Sequence, residues 1–406
     1  MAYSLLWASL LGFFSLLVAP YSTYQANLSK HFSIQQQSPS TATQEIEGIP
    51  ANLHIRLSRS QLTPIPTSYS VHRVRDSSEL LDAIKTATTQ LGNAAIVLQD
   101  GIYTLNIPLN ITVPNMMLLS ESGNPRDVIL KGAGFQKSKH IGNIIHVSAS
   151  GFVLDGITLK EANNHLIQIA AEKNADLPVI RNCILQDSYE QLLKVSYNKN
   201  TPELFSDRGL VEYCVFEYTQ GIGPNYYIGG IDAHGIRHWT IRNNIFKDIA
   251  SPSKNIAEYA IHIWSNASNN IIEGNVILNS DRGIGFGMHQ DHPNIRYSNF
   301  GGEINDNIIY HSNNGDIFAD TGIALEDSSN TRIEGNLVFL EHDYPRAIEY
   351  RYPGTNNVVI VNNRTNRPIA SREGGQAQLK NNIVSIKKAE ALAKVKKRLG
   401  ELRLIE

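Results

Sequence analysis

The chain has 406 residues, with 36 Lys and Arg against 38 Asp and Glu, so its formal charge is −2. This balance argues against a nucleic-acid-binding protein or a polybasic membrane-surface protein, because both need a positive excess. The unusual residue is asparagine, which occurs 38 times, and 23 of these asparagines lie between Asn243 and Asn382. Asparagine accepts left-handed backbone angles more readily than most residues, so the sequence predicts a chain that bends repeatedly.

The N-terminal region predicts export. Residues 5–18 form an uncharged apolar run, and small residues follow as far as Ala26. We interpret 1–26 as a secretory signal peptide, which predicts a secreted or periplasmic protein. The run is short for a bilayer span and lacks a positively charged start, so an uncleaved membrane anchor is the alternative. Residues 27–70 are rich in Ser, Gln, Thr and Pro and predict a flexible linker.

A short pattern, apolar-x-x-Asn-apolar, recurs through the chain at intervals close to 30 residues. Alternating segments such as AIHIW and GIALE fill each interval, and clusters of turn residues separate them. Repeats of this length without internal helices predict a β-solenoid, in which each coil buries its face against the next. From Asn244 onward we expect the amides to stack inside one corner. The predicted column contains Gly156, Cys183, Cys214, Asn244, Asn275, Asn307, Asn336, Asn363 and Asn382.

The start of the repeat region adds a second signal. Asp76 and Glu79 form a capping-box pattern before the run LLDAIKTA, and strand-like segments such as AAIVLQDGIYTL follow. In this combination the chain resembles the right-handed parallel β-helix superfamily typified by pectate lyases and other polysaccharide lyases, over residues 71–386. The resemblance implies an all-β, right-handed parallel β-helix whose first coil is closed by an N-terminal capping helix.

Two further features concern stability. Residues 387–406 have apolar residues at helical spacing among seven Lys and Arg, and predict an amphipathic C-terminal helix. We interpret this helix as a cap on the end of the fold, with contact to a membrane or an acidic partner as the alternative. Cys183 and Cys214 share one column a coil apart, so a disulfide and a pair of stacked thiols both remain open.

Strand alternation divides one sheet into an inward ladder and two outward columns. We expect the outward columns to form an exposed face that is unusually rich in charged and aromatic side chains. The first contains His146, Gln168, Lys194, Asp232, His262, Gly285, Ala324, Glu349 and Ala370. The second contains Ser148, Ala170, Ser196, His234, Trp264, Gly287, Glu326, Arg351 and Arg372.

The centre of this face supplies candidate catalytic residues. Asp232 and His234 flank one inward residue and leave the same face, and His262 lies one coil further along. We predict these three side chains as catalytic, with Lys194 one coil before Asp232 as a substrate-binding residue. A divalent cation held by the carboxylate and imidazole groups is left open. A purely structural network, in which Lys194 pairs with Asp232, is the alternative.

Two glycines interrupt the charged face. Gly285 and Gly287 remove side chains from its middle and predict a floor where a sugar ring approaches the backbone. Trp264 and Arg282 frame this floor, the first as a binding platform and the second as a further catalytic residue. The alternative is that the glycines only permit a bend in the backbone.

Glu326 and Arg351 extend the predicted substrate-binding set along the sheet. Because each lies on the coil next to a residue of opposite charge, an ion-pair ladder that includes Glu349 is the alternative for both.

A long face with aromatic and charged groups suits a polysaccharide. Elimination from a uronate needs a cation beside the acid group, which Lys194, Arg282 or Arg351 can supply. It also needs a base, for which His262 or His234 has a suitable ordinary pKa. We therefore predict a lyase or epimerase that acts as a monomer on a uronate-containing polysaccharide. A glycoside hydrolase and a non-catalytic carbohydrate-binding or surface solenoid are the alternatives.

Overall fold

The computed structural model describes residues 46–53, 55, 62–134, 142–253 and 259–402. The predicted signal segment 1–26 lies outside these residues. Within them, short strands pair in parallel with the strands of neighbouring coils and form four sheets. This arrangement confirms the predicted parallel β-helix. No helix among the described residues is long and apolar enough to cross a membrane.

Three long sheets form the sides of the β-helix. The twelve-stranded sheet contains, in spatial order, Ser70–Val74, Ala94–Leu98, Met116–Ser120, Val153–Asp155, Val179–Arg181, Leu210–Glu212, Thr240–Arg242, Ile271–Glu273, Glu303–Asn305, Arg332–Glu334, Val358–Val361 and Ala377–Lys380. The eleven-stranded sheet contains Gly101–Thr104, Val128–Lys131, Thr158–Ala162, Ile184–Ser188, Val215–Glu217, Ile245–Lys247, Val276–Leu278, Ile308–His311, Leu337–Leu340, Arg364–Thr365 and Ile383–Val384.

The third long sheet carries the candidate site. This ten-stranded sheet contains Leu109–Ile111, Ile145–Val147, Ile167–Ala170, Gln191–Ser196, Gly229–His234, Ile261–Trp264, Ile284–Phe286, Ile323–Glu326, Ile348–Arg351 and Ile369–Arg372. A short five-stranded sheet contains Ser206–Asp207, Ile236–Arg237, Ala267–Ser268, Asn299–Phe300 and Ser328–Ser329.

The register of the ten-stranded sheet is the one that the alternation predicts. Ile231 pairs with Ile261, Ile261 with Ile284, and Ile284 with Ile323, and all four side chains are fully buried in the core. Because side chains alternate along a strand, the residues that follow these isoleucines leave the opposite face of the sheet. The predicted outward columns therefore exist as columns.

A helix closes the first coil, as predicted. It spans Ser77–Thr89, and its N-cap Asp76 accepts a hydrogen bond from the backbone N–H of Glu79 at 2.9 Å. The Glu79 carboxylate in turn accepts from the backbone N–H of Arg75 at 3.0 Å. The first bond satisfies a backbone donor that a helix start leaves without a partner, and the second fixes the residue before the N-cap. Four buried side chains attach the helix to the core: Leu80, Ala83, Ile84 and Ala87.

The asparagine ladder lies at the corner between the twelve-stranded and eleven-stranded sheets. In each of these coils a residue with positive φ bends the chain, such as Asn243 at 57° or Asn362 at 58°. The next residue then points inward, and its amide bonds to the amide of the following coil. Asn275, for example, donates from Nδ2 to Oδ1 of Asn307 at 2.9 Å. The six predicted asparagines form one continuous ladder: Asn244, Asn275, Asn307, Asn336, Asn363 and Asn382.

The predicted column is wrong at its first position. Thr158 pairs with Ile184, so Ile157, and not Gly156, lies on the level of Cys183. Gly156 occupies the bend itself, with φ 74°. Cys183 and Cys214 are buried free thiols, so no disulfide joins them in this structure.

The outer face of the eleven-stranded sheet is covered from both ends of the described chain. The C-terminal helix spans Lys388–Glu401 and buries Ala391, Leu392, Val395 and Leu399 against the sheet. This packing uses the apolar face of the helix, as expected for a cap.

The predicted flexible linker 27–70 is wrong for part of its length. Ile46, Ile49, Leu53 and Ile55 are buried in the same apolar cluster as the C-terminal helix. The ammonium group of Lys247 on the sheet also donates to the carbonyl of Ala51 at 3.0 Å. These few apolar residues in a polar segment have a partner surface on the sheet, which composition alone does not show.

Candidate functional site

The face that carries the predicted site is covered. Asp232 has no exposed surface, and His262 and Glu349 are each 2% exposed. The expectation of an open face is therefore wrong at its centre. Aromatic side chains from the segments that connect the coils lie against it: Tyr227 contacts Lys194, Tyr259 contacts His262, and Tyr344 contacts Glu349. Alternation fixes which way a side chain leaves the sheet, but it does not say what lies on top of it.

The Lys194 ammonium is the meeting point of the site. It forms an ion pair with the Asp232 carboxylate and lies 3.0 Å from Nε2 of His234. It also donates to the hydroxyl of Tyr227 at 3.4 Å. The predicted pairing of Lys194 with Asp232 is thus present. Both Lys194 and His234 retain exposed surface, with side chains 12% and 15% accessible.

Asp232 is the buried residue that the other side chains of the site contact. Its Oδ1 accepts a hydrogen bond from the indole N–H of Trp264 at 2.7 Å, and Nδ1 of His262 lies 3.7 Å away. Burial alone would raise the pKa of this carboxyl, but the neighbouring Lys194, followed by His234, holds the pKa well below its usual range. The carboxylate is therefore ionised at pH 7.

His234 is held on both of its ring nitrogens. Its Nδ1 lies 3.3 Å from the hydroxyl of Ser265, and that hydroxyl accepts from the amide of Gln290 at 3.2 Å. Burial, opposed by Asp232 and reinforced by the positive charge of Lys194, lowers the pKa of His234 below its ordinary value. The imidazole is therefore neutral at pH 7 and can accept a proton.

His262, predicted as the central acid-base group, lies beneath the surface. Its Nε2 is 3.0 Å from the carbonyl oxygen of Gly287. Its ring lies between that of Tyr259, at 4.8 Å, and that of Trp264, at 5.3 Å. The expectation that His262 touches a bound sugar is not met, because the two aromatic rings and the sheet enclose it.

The glycine floor is also covered. A Cβ atom at Gly285 would lie 2.7 Å from ring atoms of Tyr259, so this glycine makes room for that ring and not for a sugar. Gly287 has φ 81°, and a Cβ atom there would lie 1.9 Å from the carbonyl oxygen of Glu326. Gly285 therefore has a packing role that neither interpretation anticipated, whereas the positive φ of Gly287 agrees with the alternative, a bend in the backbone.

Arg282 lies next to this layer but outside the Lys194 cluster. Its guanidinium bonds to the carboxylate of Asp320 at 3.0 and 3.1 Å and stands over the ring of Tyr259 at 5.1 Å. Tyr259 and His262 thus lie between Arg282 and Asp232. The structure does not bring Arg282 into contact with the other predicted catalytic residues.

Glu326 and Arg351 form the predicted ion-pair ladder further along the sheet. The two side chains are 2.5 Å apart, and Arg351 also donates to Glu373 at 2.9 Å. Arg372 bonds to Glu349 on the neighbouring column at 3.2 Å. The positive groups of this part of the face are therefore balanced by carboxylates of adjacent coils.

The sequence interpretation missed three residues of the cluster. Tyr227, Tyr259 and Ser265 all lie next to strands of the ten-stranded sheet, and each contacts a predicted site residue. The only signal for Tyr227 is its position in a YYIGG segment, five residues before Asp232.

A divalent cation does not fit among Asp232, His234 and His262. The Lys194 ammonium stands between the Asp232 carboxylate and Nε2 of His234, where a cation would have to bind. In the part of the chain that the structure describes, no three His, Cys, Asp or Glu residues are arranged to hold a metal ion.

No protein-family model and no curated protein sequence matches the chain. Among solved structures, it is similar to endo-xylogalacturonan hydrolase from Aspergillus tubingensis (TM-score 0.48, 12% identity, 78% of this chain and 98% of that one). It is also similar to the A-module of the mannuronan C-5 epimerase AlgE6 from Azotobacter vinelandii (0.44, 13%, 78% and 93%). The surface protein and adhesin PfbA from Streptococcus pneumoniae is a third example (0.45, 12%, 76% and 93%).

These three proteins have different described roles, and the likeness to each is distant. It does not distinguish a hydrolase from an epimerase or an adhesin. The assignment of the fold rests on the parallel pairing of successive coils, described above. The chain therefore has the parallel β-helix fold to which the resemblance with pectate-lyase-like proteins pointed.

Proposed function

We propose that the protein is a lyase or epimerase that acts on a uronate-containing polysaccharide. The observation that carries the proposal is the contact of one ammonium, that of Lys194, with both the His234 imidazole and the Tyr227 phenol, at a point of the sheet where Lys194 and His234 keep exposed surface. Proton abstraction next to a carboxylate needs a cation, a base and a proton donor in reach of one sugar ring. Lys194, His234 and Tyr227 supply these three groups.

In this mechanism Lys194 binds the substrate carboxylate and stabilises the negative charge that develops on it. His234 takes the proton from the ring carbon that bears the carboxylate, and the C–H electron pair enters the carboxylate system. In a lyase, that pair then forms the ring double bond, the bond to the neighbouring glycosidic oxygen breaks, and Tyr227 gives its proton to this oxygen. In an epimerase, Tyr227 instead gives its proton to the same carbon from the side opposite to His234.

The buried residues position these three groups. Asp232 holds Lys194 and His234 next to each other, and Trp264 and His262 support Asp232 from the next coil. We therefore assign Asp232, Trp264 and His262 as positioning residues and keep Glu326 and Arg351 as candidates for more distant substrate contacts. The proposed substrate lies outside the cell, so we also propose a secreted or periplasmic monomer.

A non-catalytic carbohydrate-binding solenoid is the second candidate. The balanced ion pairs around Arg351 and Arg372 favour it, because they fill the face instead of leaving a deep groove. A glycoside hydrolase is disfavoured, since such an enzyme needs two available carboxylates about 5–10 Å apart. Asp232 is committed to Lys194 and Trp264, and Glu326 lies three coils away.

The test is a panel of pectate, alginate, glycosaminoglycans and bacterial exopolysaccharides. Absorbance of unsaturated products reports elimination, and incorporation of deuterium from the solvent into recovered polymer reports epimerisation. We expect one of these signals with wild type and not with His234→Gln. Binding of a polymer without either signal would instead support the non-catalytic candidate.

A further inference from the structure

The hydrogen-bonding capacity of Lys194 fixes the state of its neighbour. An ammonium carries N–H donors and has no lone pair. Nε2 of His234 lies 3.0 Å from the Lys194 ammonium and 3.5 Å from Oδ2 of Asp232. In the shorter contact only the lysine can donate, so we assign the lone pair of the neutral ring to Nε2. The neutral ring therefore carries its proton on Nδ1, which faces the Ser265 hydroxyl. The lone pair that would receive a proton from a substrate already accepts a hydrogen bond.

We propose that Lys194 blocks His234 in the free protein and releases it when a carboxylate ligand binds. This inference rests on the proposed function of the same site and adds a mechanism for choosing acidic sugars. A carboxylate is a stronger acceptor for an ammonium than a neutral imidazole, because the attraction between opposite charges adds to the hydrogen bond. A neutral sugar offers no such acceptor, so it leaves Lys194 on His234.

The surroundings allow this exchange without disturbing the base. When Lys194 turns toward a ligand, the His234 ring stays in place because Nδ1 remains bonded to Ser265. Gln290 fixes Ser265, and the ammonium of Lys199 donates to Gln290 at 2.9 Å. Asp232 remains in reach of Lys194 throughout, so the lysine need not leave its ion pair.

When Lys194 moves from His234 to the ligand carboxylate, acidic sugars are selected in the catalytic step as well as in binding. A uronate brings the group that draws Lys194 away and, on the adjacent ring carbon, the proton that His234 then accepts at Nε2. The electron pair of that C–H bond stays on the substrate next to the Lys194 ammonium. A neutral sugar that occupies the same position meets a base that cannot accept its proton.

Nitrogen-15 NMR of histidine-labelled full-length protein tests the blocked state directly. In free wild type we expect His234 to show an unprotonated Nε2 and a protonated Nδ1 at neutral pH. The titratable groups that face this ring are Lys194, Asp232 and His262. In Lys194→Met the opposing charge is gone and Asp232 remains, so the pKa of His234 should rise by about one pH unit or more.

Lys173→Met is the matched control, because it removes an exposed lysine that follows a strand of the same sheet and takes no part in the contacts of His234. It should leave the pKa of His234 unchanged. A proton on Nε2 in free wild type, or an equal pKa in wild type and in folded Lys194→Met, would overturn the blocked state. If Lys194→Met does not fold, the tautomer of His234 in wild type still tests the blocked state.

The release is tested with wild type and three monosaccharides. Galacturonate and mannuronate should raise the pKa of His234, and galactose should not. In protein that also carries nitrogen-15 in its tryptophans, the indole N–H signal of Trp264 reports whether each sugar binds at the site. Binding of a uronate with no change at His234 would overturn the release mechanism while leaving the proposed function intact. If no uronate changes the Trp264 signal, the proposed function and the release mechanism are both wrong. The blocked state is decided separately, by the tautomer of His234 in the free protein.

Discussion

The indole N–H of Trp264 donates to Oδ1 of Asp232 at 2.7 Å across two adjacent coils. The aromatic ring that the sequence offers as a sugar platform is thus also the group that fixes the buried carboxylate. The same ring lies 4.1 Å from the His234 ring, measured between centroids. Any change at Trp264 therefore acts on the charge of the site as well as on its surface.

Replacing Trp264 with Phe keeps a ring in this position and removes the donor. We expect the free energy of unfolding to fall by about 1–3 kcal/mol, because a buried charged oxygen loses a hydrogen bond. Urea unfolding of both proteins measures the difference. Tyr226→Phe, at a side chain that is 53% exposed, is the control and should change stability little. Equal midpoints for wild type and Trp264→Phe would contradict the role of this bond.

Substitutions at the two histidines of the site should have different effects, one on turnover and the other on stability. His234→Gln should lower turnover by about 10²–10⁴ with little change in unfolding, because it removes the accessible base. His262→Gln should instead lower the free energy of unfolding by about 1–3 kcal/mol, since the buried bond to Gly287 and the contacts with two rings are disturbed. Initial rates and urea unfolding check both. A fully active His234→Gln protein would show that the base is misassigned.

Asn275→Ala tests the corner ladder. The Asn275 amide accepts from Asn244 and donates to both Asn307 and the carbonyl of Ile241, and all these groups are buried. Losing one amide should cost about 1–3 kcal/mol for each partner that stays unpaired. Asn200→Ala is the control at an exposed position and should change stability by less than about 0.5 kcal/mol. A melting temperature that is unchanged in Asn275→Ala would argue against the ladder.

The buried side chain of His165 should make the protein less stable in mild acid. Burial, together with the nearby Lys194 charge, lowers the pKa of His165 to about 4. A histidine whose pKa falls on folding stabilises the protein above its unfolded pKa of about 6.5, and this contribution is lost as the pH falls toward the folded pKa. Between pH 7 and pH 5, wild type should therefore lose about 2 kcal/mol more than His165→Gln. Urea unfolding at the two pH values measures this, and parallel losses would contradict it.

Two glycines give opposite expectations for substitution by alanine. Gly285→Ala should destabilise by about 1–3 kcal/mol, because the new methyl group would overlap the Tyr259 ring. Gly400→Ala, in the C-terminal helix with open space around its Cα, should stabilise by about 0.5–1 kcal/mol. Thermal unfolding compares them. A Gly285→Ala protein as stable as wild type would mean that Tyr259 does not rest on this glycine.

The sequence predicts the core well because burial and alternation are local properties. The inward isoleucines and the asparagine ladder follow from spacing, and the structure has both. The error at Gly156 arises at a corner, where a bend residue precedes the inward residue and the pattern contains neither amide nor thiol to mark it. A corner can shift register by one residue without changing the strands on either side.

The candidate site could be predicted only in part. The column of Lys194, Asp232 and His262 follows from strand register. The side chains that cover this column cannot be predicted from strand register, because Tyr227 and Tyr259 come from connecting segments whose path depends on tertiary packing. Because these side chains bury His262, we propose His234 as the base and His262 as a positioning residue. The burial of Ile46 and Ile49 is of the same kind, since it depends on a sheet more than a hundred residues away.

That contact between distant segments changes how the whole solenoid can unfold. Coils that touch only their neighbours can detach one at a time from either end. Here, Lys247 reaches Ala51 across 196 positions of sequence, and Arg398 of the last helix reaches Asn243 across 155. The first and last described segments thus act as a clasp around the middle coils. Because fraying at either end has to open this clasp first, we expect the protein to unfold more cooperatively than a solenoid whose coils contact only their neighbours.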